Sequence, residues 1–278
     1  MSPGVGQFTR PRVMGIVNVT PDSFSDGGLH LDPAAALEKA RRLIAEGADL
    51  LDIGGESTRP GAEPVAADLE TERTAPLITA IRAESDIPIS IDTMKPEVAR
   101  AAVAAGATMW NDVTALSYAP DSLQTAAALA CEVVLMHMQG EPRTMQHAPA
   151  YADPAGEVTA WLADRAQAAI AAGVARERLL LDPGIGFGKH LTRHNLPLLR
   201  DLRQLVGLGY PVLLGVSRKA FVSALDPAAK SPQDRLGGSL AAALWGAQAG
   251  VAVLRVHDVR ETVQALKVWA AIAGPDRR

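Results

Sequence analysis

The chain has almost no cysteine, no excess of positive charge and no long apolar run, and each shortage removes a class of protein. Cys131 is the one cysteine in 278 residues, so no internal disulfide can form, which fits a reducing cytoplasm. Nor is there any Cys/His spacing of the kind that binds zinc. Lys and Arg number 27 against 31 Asp and Glu, a net charge of −4. Without a basic run to track phosphates, nucleic acid is not an expected partner. No apolar stretch approaches the ~20 residues of a membrane span, and the first residues lack the charged-then-apolar order of a leader. A soluble, cytoplasmic protein with no membrane partner is expected. Also missing is a G-x-G-x-x-G turn after an early strand, the mark of a doubly wound dinucleotide-binding sheet.

What is present is a repeated unit. Hydrophobic residues make up 48% of the chain, enough for a sizeable core. Short apolar runs predict strands at 13–18, 50–53, 89–92, 109–112, 133–137, 179–182, 212–215 and 253–256. Helical patterns lie near 33–46, 68–84, 96–105, 123–130, 154–172, 194–206, 236–249 and 259–273. Several helices end in a small-residue turn such as Glu46-Gly47-Ala48, Ala105-Gly106-Ala107, Ala172-Gly173-Val174 and Ala249-Gly250-Val251, where glycine suits a left-handed cap. The strands are apolar on both faces, as in a buried parallel sheet. Eight βα units in a chain near the usual ~250 residues predict a single (β/α)8 TIM barrel of the α/β class. One domain spans 1–278, with 1–12 an N-terminal extension and 274–278 a C-terminal tail.

In such a barrel the C-terminal strand ends meet at one mouth. Here they read Asn18, Asp52, Asp92, Asn111-Asp112, His137, Asp182, Ser217-Arg218-Lys219, and Arg255 with His257. Any one of these has a plainer explanation, since Asp and Asn after a strand often make a turn or cap a helix. Polar groups at all eight ends are hard to explain that way and predict an active site. Arg59, Arg218, Lys219, Arg255 and His257 point to an anionic ligand in an acidic protein. Asp92, Asn111 and Asp182 suit a planar heterocycle rich in N–H donors, because a carboxylate accepts two adjacent donors at once.

Six segments resemble the dihydropteroate synthases: Asn18-Val-Thr-Pro-Asp-Ser-Phe-Ser-Asp-Gly-Gly28, Asp52-Ile-Gly-Gly-Glu-Ser-Thr-Arg-Pro-Gly61, Ser90-Ile-Asp-Thr-Met-Lys-Pro-Glu97, Asp182-Pro-Gly-Ile-Gly-Phe-Gly188, Ser217-Arg-Lys219 and Arg255-Val-His-Asp258. Trp110-Asn-Asp112 and Leu135-Met-His-Met-Gln-Gly140 add to the match. The resemblance implies a transferase of folate biosynthesis. It joins 6-hydroxymethyl-7,8-dihydropterin pyrophosphate to p-aminobenzoate and releases pyrophosphate. It implies a pterin held by Asp92, Asn111, Asp182 and Lys219, flanked by Met136 and Phe187, for which plain core packing is an equal reading. It implies pyrophosphate against Arg255 and His257, with Mg2+ held at Asn18. Phe24 and Asp26 on the first loop, and Thr58, Arg59 and Pro60 on the second, would close over p-aminobenzoate. Asp26, Arg59, Lys219, Arg255 and His257 are the implied catalytic groups. Sulfonamides are implied inhibitors, and a homodimer the implied assembly, with Gly237-Gly-Ser-Leu-Ala-Ala-Ala243 allowing close packing of subunits or of helix on barrel.

Three departures stand out, one of them a short segment between Leu225 and Arg235 that offers no obvious lid. Ala220 follows Lys219 where relatives often carry serine or a basic residue, and residues 189–195 make a longer stretch than usual. Rival readings are a methyltetrahydrofolate:corrinoid methyltransferase, a barrel aldolase with Lys219 as Schiff base, and a non-catalytic pterin-binding subunit. The first has no use for a pyrophosphate leaving group. In the second, Lys219 would be a nucleophile, but its place beyond the strand and next to Arg218 reads as an anion or carbonyl ligand, and the third would show damaged loops.

Overall fold

A computed structural model of the chain describes residues 10–20, 33–57, 63–141 and 144–273. The strands are β1 (Arg12–Asn18), β2 (Leu50–Gly54), β3 (Ile89–Asp92), β4 (Met109–Asp112), β5 (Glu132–Met136), β6 (Leu179–Asp182), β7 (Leu213–Leu214) and β8 (Val253–Val256). They pair in parallel in the order β6-β5-β4-β3-β2-β1-β8-β7. The ring closes where Leu181 bridges Val212 and the Leu181 N–H donates to the Pro211 carbonyl at 3.0 Å. The helices are α1 (Pro33–Ala45), α2 (Ala67–Arg82), α3 (Pro96–Ala104), α4 (Ser122–Leu129), α5 (Pro154–Ala171), α6 (Asn195–Arg200), α7 (Arg203–Val206), α8 (Ala220–Leu225), α9 (Leu236–Ala249) and α10 (Val259–Ala273). Among the described residues, no helix is long and apolar enough to cross a membrane.

Side chains alternate faces along a strand, and that alternation builds the barrel in layers. Met14, Leu50, Met109, Val134, Leu180, Leu213 and Val253 form one apolar cluster with Ala252, the plug inside the ring. Residues of the other parity, such as Leu51, Ile53, Ile91, Trp110, Leu135 and Leu181, belong to the larger core under the helices. One step beyond the plug on the inner face come Asp52, Asn111, Met136, Asp182 and Arg255. The register sets Asp92 between Gly54 and Asn111 at the same level.

Gly47, Gly106, Gly173 and Gly250, expected to close helices, all have positive φ, from 98° to 116°, a region that costs any residue with a Cβ. Several bounds shift from those expected by a residue or two, and three differences change an element near the site. The strand predicted at 212–215 shortens to Leu213–Leu214, because Pro211 has no N–H with which to extend the ladder. The helix predicted at 194–206 splits into α6 and α7 where Asp201 leaves helical geometry (φ −99°, ψ 18°). The fifth strand runs from Glu132 to Met136, which leaves His137 just past its end.

Candidate active site

The floor of the mouth is a charged triad. Arg255 donates from Nε to Asp52 at 2.6 Å and from Nη2 to Asp92 at 2.6 Å. Asp52 is completely buried, and Asn111 Nδ2 lies 3.4 Å from its carboxylate. Burial pushes the Asp92 carboxyl up, against the pull of Arg255 and helped by Asp52, Glu70 and Asp112. Burial also works against the Arg255 charge, yet Asp52 and Asp92 hold the guanidinium above its ordinary value. The Oδ1 atom of Asp92 is buried with no partner among the described residues, an acceptor left over for a ligand. Arg255 therefore reaches inward to the acids, where the resemblance implied a group waiting at the mouth.

The wall beside this floor comes from β5 and the sixth loop. Asp182 accepts the Gly184 N–H at 2.7 Å through Oδ1, which leaves its second oxygen to a ligand. Burial raises its carboxyl, opposed by that N–H and by Lys219, Arg255 and Lys189. Met136, Met94 and Val113 form a small apolar cluster against which Phe187 and Met138 pack, separate from the plug and the outer core. Met136 and Phe187 thus make a local apolar patch at the mouth, as a flank for a flat ring requires. Lys219 Nζ sits 4.3 Å from the Phe187 ring centroid, within cation–π range. Burial, with Arg255 adding, lowers its ammonium to about 8. Ala220 begins α8 and is exposed.

Besides Arg255, already paired with Asp52 and Asp92, two more of the expected cations are not free ones. Arg218 spends its Nε and Nη2 donors on the Asp258 carboxylate. His257 is neutral: burial, then Arg255, Arg218, Lys39 and Lys219, push its imidazole down to about 3, and its Nδ1 lies 3.1 Å from Ser217 Oγ. It remains a possible hydrogen-bond donor to an anion. Asp112 and His137, also read as strand-end groups, have outward parity and do other work. Asp112 accepts from the Thr114 and Leu116 N–H groups at 2.7 and 3.0 Å, a turn. His137 faces Lys189, Tyr151 and Trp161.

Asn18 is half-buried at the inner end of β1. Phe24, Asp26, Thr58, Arg59 and Pro60 lie outside the described residues. Among the described residues no three His, Cys, Asp or Glu side chains converge as a metal cage. Lys189 is the group the sequence did not single out, and Asp52, read there only as a strand end, proves to be the buried partner of Arg255. No local pattern marks Lys189.

Residues 14–257 match the model of the family described as pterin binding enzyme. The dihydropteroate synthase of Escherichia coli (strain K12) is 46% identical over 264 residues, covering 95% of this chain and 92% of that one. The structure of Xanthomonas albilineans dihydropteroate synthase with 4-aminobenzoic acid superposes with a TM-score of 0.90 at 52% identity, covering 96% of this chain and 94% of that one. That of the Yersinia pestis enzyme in complex with a sulfonamide drug gives 0.89 at 44% identity, covering 96% and 95%. With nearly half its residues shared along almost its whole length, the chain belongs to the pterin-binding enzymes, in the dihydropteroate synthase family.

Proposed function

We propose that the inner ring divides the dihydropteroate synthase reaction, from 6-hydroxymethyl-7,8-dihydropterin pyrophosphate and p-aminobenzoate to 7,8-dihydropteroate and pyrophosphate, into three tasks. Asp92, Asn111, Asp182 and Lys219 hold the pterin edge, with Met136 and Phe187 against its face. The observation that carries this is the convergence of two buried carboxylates with unspent oxygens, Asp92 and Asp182, one step above the apolar plug. An aminopyrimidinone offers adjacent N–H donors to such acceptors, and pairing them in a buried site is strong and oriented.

Arg255 and His257 take the pyrophosphate. The C–O bond at the pterin methylene breaks with its electron pair leaving on pyrophosphate. The arylamine lone pair forms the new C–N bond, and the nitrogen then loses a proton to water. An arylamine is already neutral and nucleophilic near pH 7, so the protein's contribution is orientation and charge stabilisation at the leaving group. A guanidinium and a neutral imidazole N–H supply that without any proton transfer.

Mg2+ fits the third task. It needs only one or two protein oxygens when it arrives with phosphates, and the Asn18 amide offers one at the end of β1. The absence of a carboxylate cage among the described residues suits an ion shared with the substrate. Bound there, it would neutralise charge on the departing pyrophosphate. Phe24, Asp26, Thr58, Arg59 and Pro60 would enclose p-aminobenzoate, and sulfonamides would compete for the same place. A cytoplasmic setting accords with the free, buried Cys131. A homodimer accords with the apolar side chains Trp245, Val268 and Ile272 exposed on α9 and α10. The test is pyrophosphate release by the purified chain. It should require both the pterin pyrophosphate and p-aminobenzoate, and release with the pterin alone would refute the transfer.

A further inference from the structure

The last residue of the sixth loop is a lysine that the reaction described above does not use. Lys189 is 0% exposed. Its Nζ lies 2.9 Å from His137 Nδ1, 3.2 Å from the His137 carbonyl and 3.0 Å from the Phe187 carbonyl. An ammonium has three protons to give, and these are three acceptors. For His137 to accept at Nδ1 it must be neutral, and burial, with Lys189 adding, depresses its imidazole to about 3. A buried ammonium is tolerated only when its donors are satisfied, so the tie is specific in geometry.

The rest of the loop is pressed onto the same neighbours. A Cβ on Gly184 would stand 1.9 Å from the His137 carbonyl oxygen, and one on Gly188 2.2 Å from that of Gln139. Tyr151 Oη donates to the Gly188 carbonyl at 2.9 Å, and Gln146 Nε2 to that of Gly186 at 2.7 Å. Between these fixed points stands Phe187, whose carbonyl Lys189 holds and whose ring meets Met136 and Lys219.

We infer that Lys189 is a positioning residue for the pterin: by tying the Phe187 carbonyl to His137 it sets the Phe187 ring and the Asp182 turn as one wall of the pocket. While protonated it also places a positive charge near Asp182 that favours the ionised carboxylate, although burial lowers its ammonium to about 7. The inference rests on the reading of Asp182 and Phe187 as pterin contacts.

The experiment uses the full chain, calorimetric titration with the pterin pyrophosphate, and steady-state kinetics. Lys189→Met should raise both the Kd and the KM for the pterin pyrophosphate about tenfold. The KM for p-aminobenzoate and the kcat at saturation should move less than about threefold. A lysine that only stabilises the fold would lower the melting temperature and leave the affinity of the folded enzyme unchanged, and that result overturns the inference. If Lys189→Met does not fold, His137→Phe removes the ring acceptor and loosens the tie from its other end. A pterin-specific loss of about threefold or more then supports the inference, and wild-type affinity overturns it. Asp182→Asn in the same titration separates the two readings. If it loses binding while the other variants keep theirs, only the positioning role has failed. If it too binds normally, the pocket assignment has failed and the inference falls with it.

Discussion

Arg255 lies between two acids, and the two contacts differ in kind. Asp52 is completely buried and holds Nε, whereas Asp92 is at the pocket floor and holds Nη2. A pterin donating to the free Oδ1 of Asp92 would leave the Nη2 contact at Oδ2 in place, so Asp52 and Asp92 together hold the guanidinium for pyrophosphate. Arg255→Ala and His257→Ala should therefore weaken the pterin pyrophosphate by about tenfold or more, the range for losing a charge-assisted hydrogen bond. A bare hydroxymethylpterin should bind His257→Ala almost as well as it binds the wild type, whereas Arg255→Ala also leaves Asp52 and Asp92 unpaired and should cost it some affinity. Equal losses for both ligands in His257→Ala would remove His257 from the pyrophosphate. Lys219 predicts a pH effect whose sign is fixed. Its ammonium, lowered to about 8 by burial and Arg255, is charged below that pH and neutral above it. Affinity for the pterin pyrophosphate should fall as pH rises through about 8. Lys219→Arg should abolish that alkaline limb even at reduced activity, since guanidinium does not titrate there. His257 predicts the opposite: because it stays neutral down to about 3, no limb near its ordinary value of 6.5 should appear that His257→Gln removes.

At the level of elements, the sixth loop carries the most demanding backbone in the site. Gly184 has φ +65° and no space for a methyl group against the His137 carbonyl. Gly184→Ala must move β5 or the loop, a cost of about 1–3 kcal/mol from overpacking with a left-handed penalty of roughly 1–2 kcal/mol more. Thermal unfolding should drop accordingly, and pterin binding with it. A variant of wild-type stability would mean that the loop lies differently. This loop also shows what was legible in the sequence. Eight strands, the helix-closing glycines and nearly every inner polar group follow from short apolar runs and turn chemistry, which are local. The split at Asp201 and the two-residue β7 depend on pairing and packing, and no local signal carries those. Asp112 and His137 looked like mouth residues because they end strands. Their parity, opposite to Asn111 and Met136, turns them outward, and a period-two count from Met109 and Val134 would have separated them. Arg218 and His257 looked like free cations because sequence shows neither the Asp258 partner nor the burial that neutralises a histidine.

For the molecule as a whole, the proposed pterin contacts stand at strand ends and in the loops just after them, whereas the proposed p-aminobenzoate contacts fall in two stretches outside the described residues. Such a division predicts ordered binding, with the pterin end first and the small anion last. Equilibrium binding of p-aminobenzoate and of a sulfonamide, each with and without pyrophosphate and Mg2+, tests this. Both should bind weakly to the bare protein, and tight p-aminobenzoate binding there would sink the scheme. Substitution of Pro60 should alter sulfonamide affinity more than p-aminobenzoate affinity, because the sulfonyl substituent extends further toward the loops. The ring of strands has its own bearing on ligand binding. Seven of its joins are ladders, while β6 and β7 meet through a single bridge at Leu181 and Val212. The hoop has one clasp: one side of it ends in Asp182, and Lys219 follows the other side at the start of α8. A pterin gripped by both is a rivet across the weakest join. Amide exchange at Leu181, whose N–H spans the clasp to Pro211, should slow on binding more than exchange in β2 or β3, so the ligand tightens the circumference of the barrel that holds it.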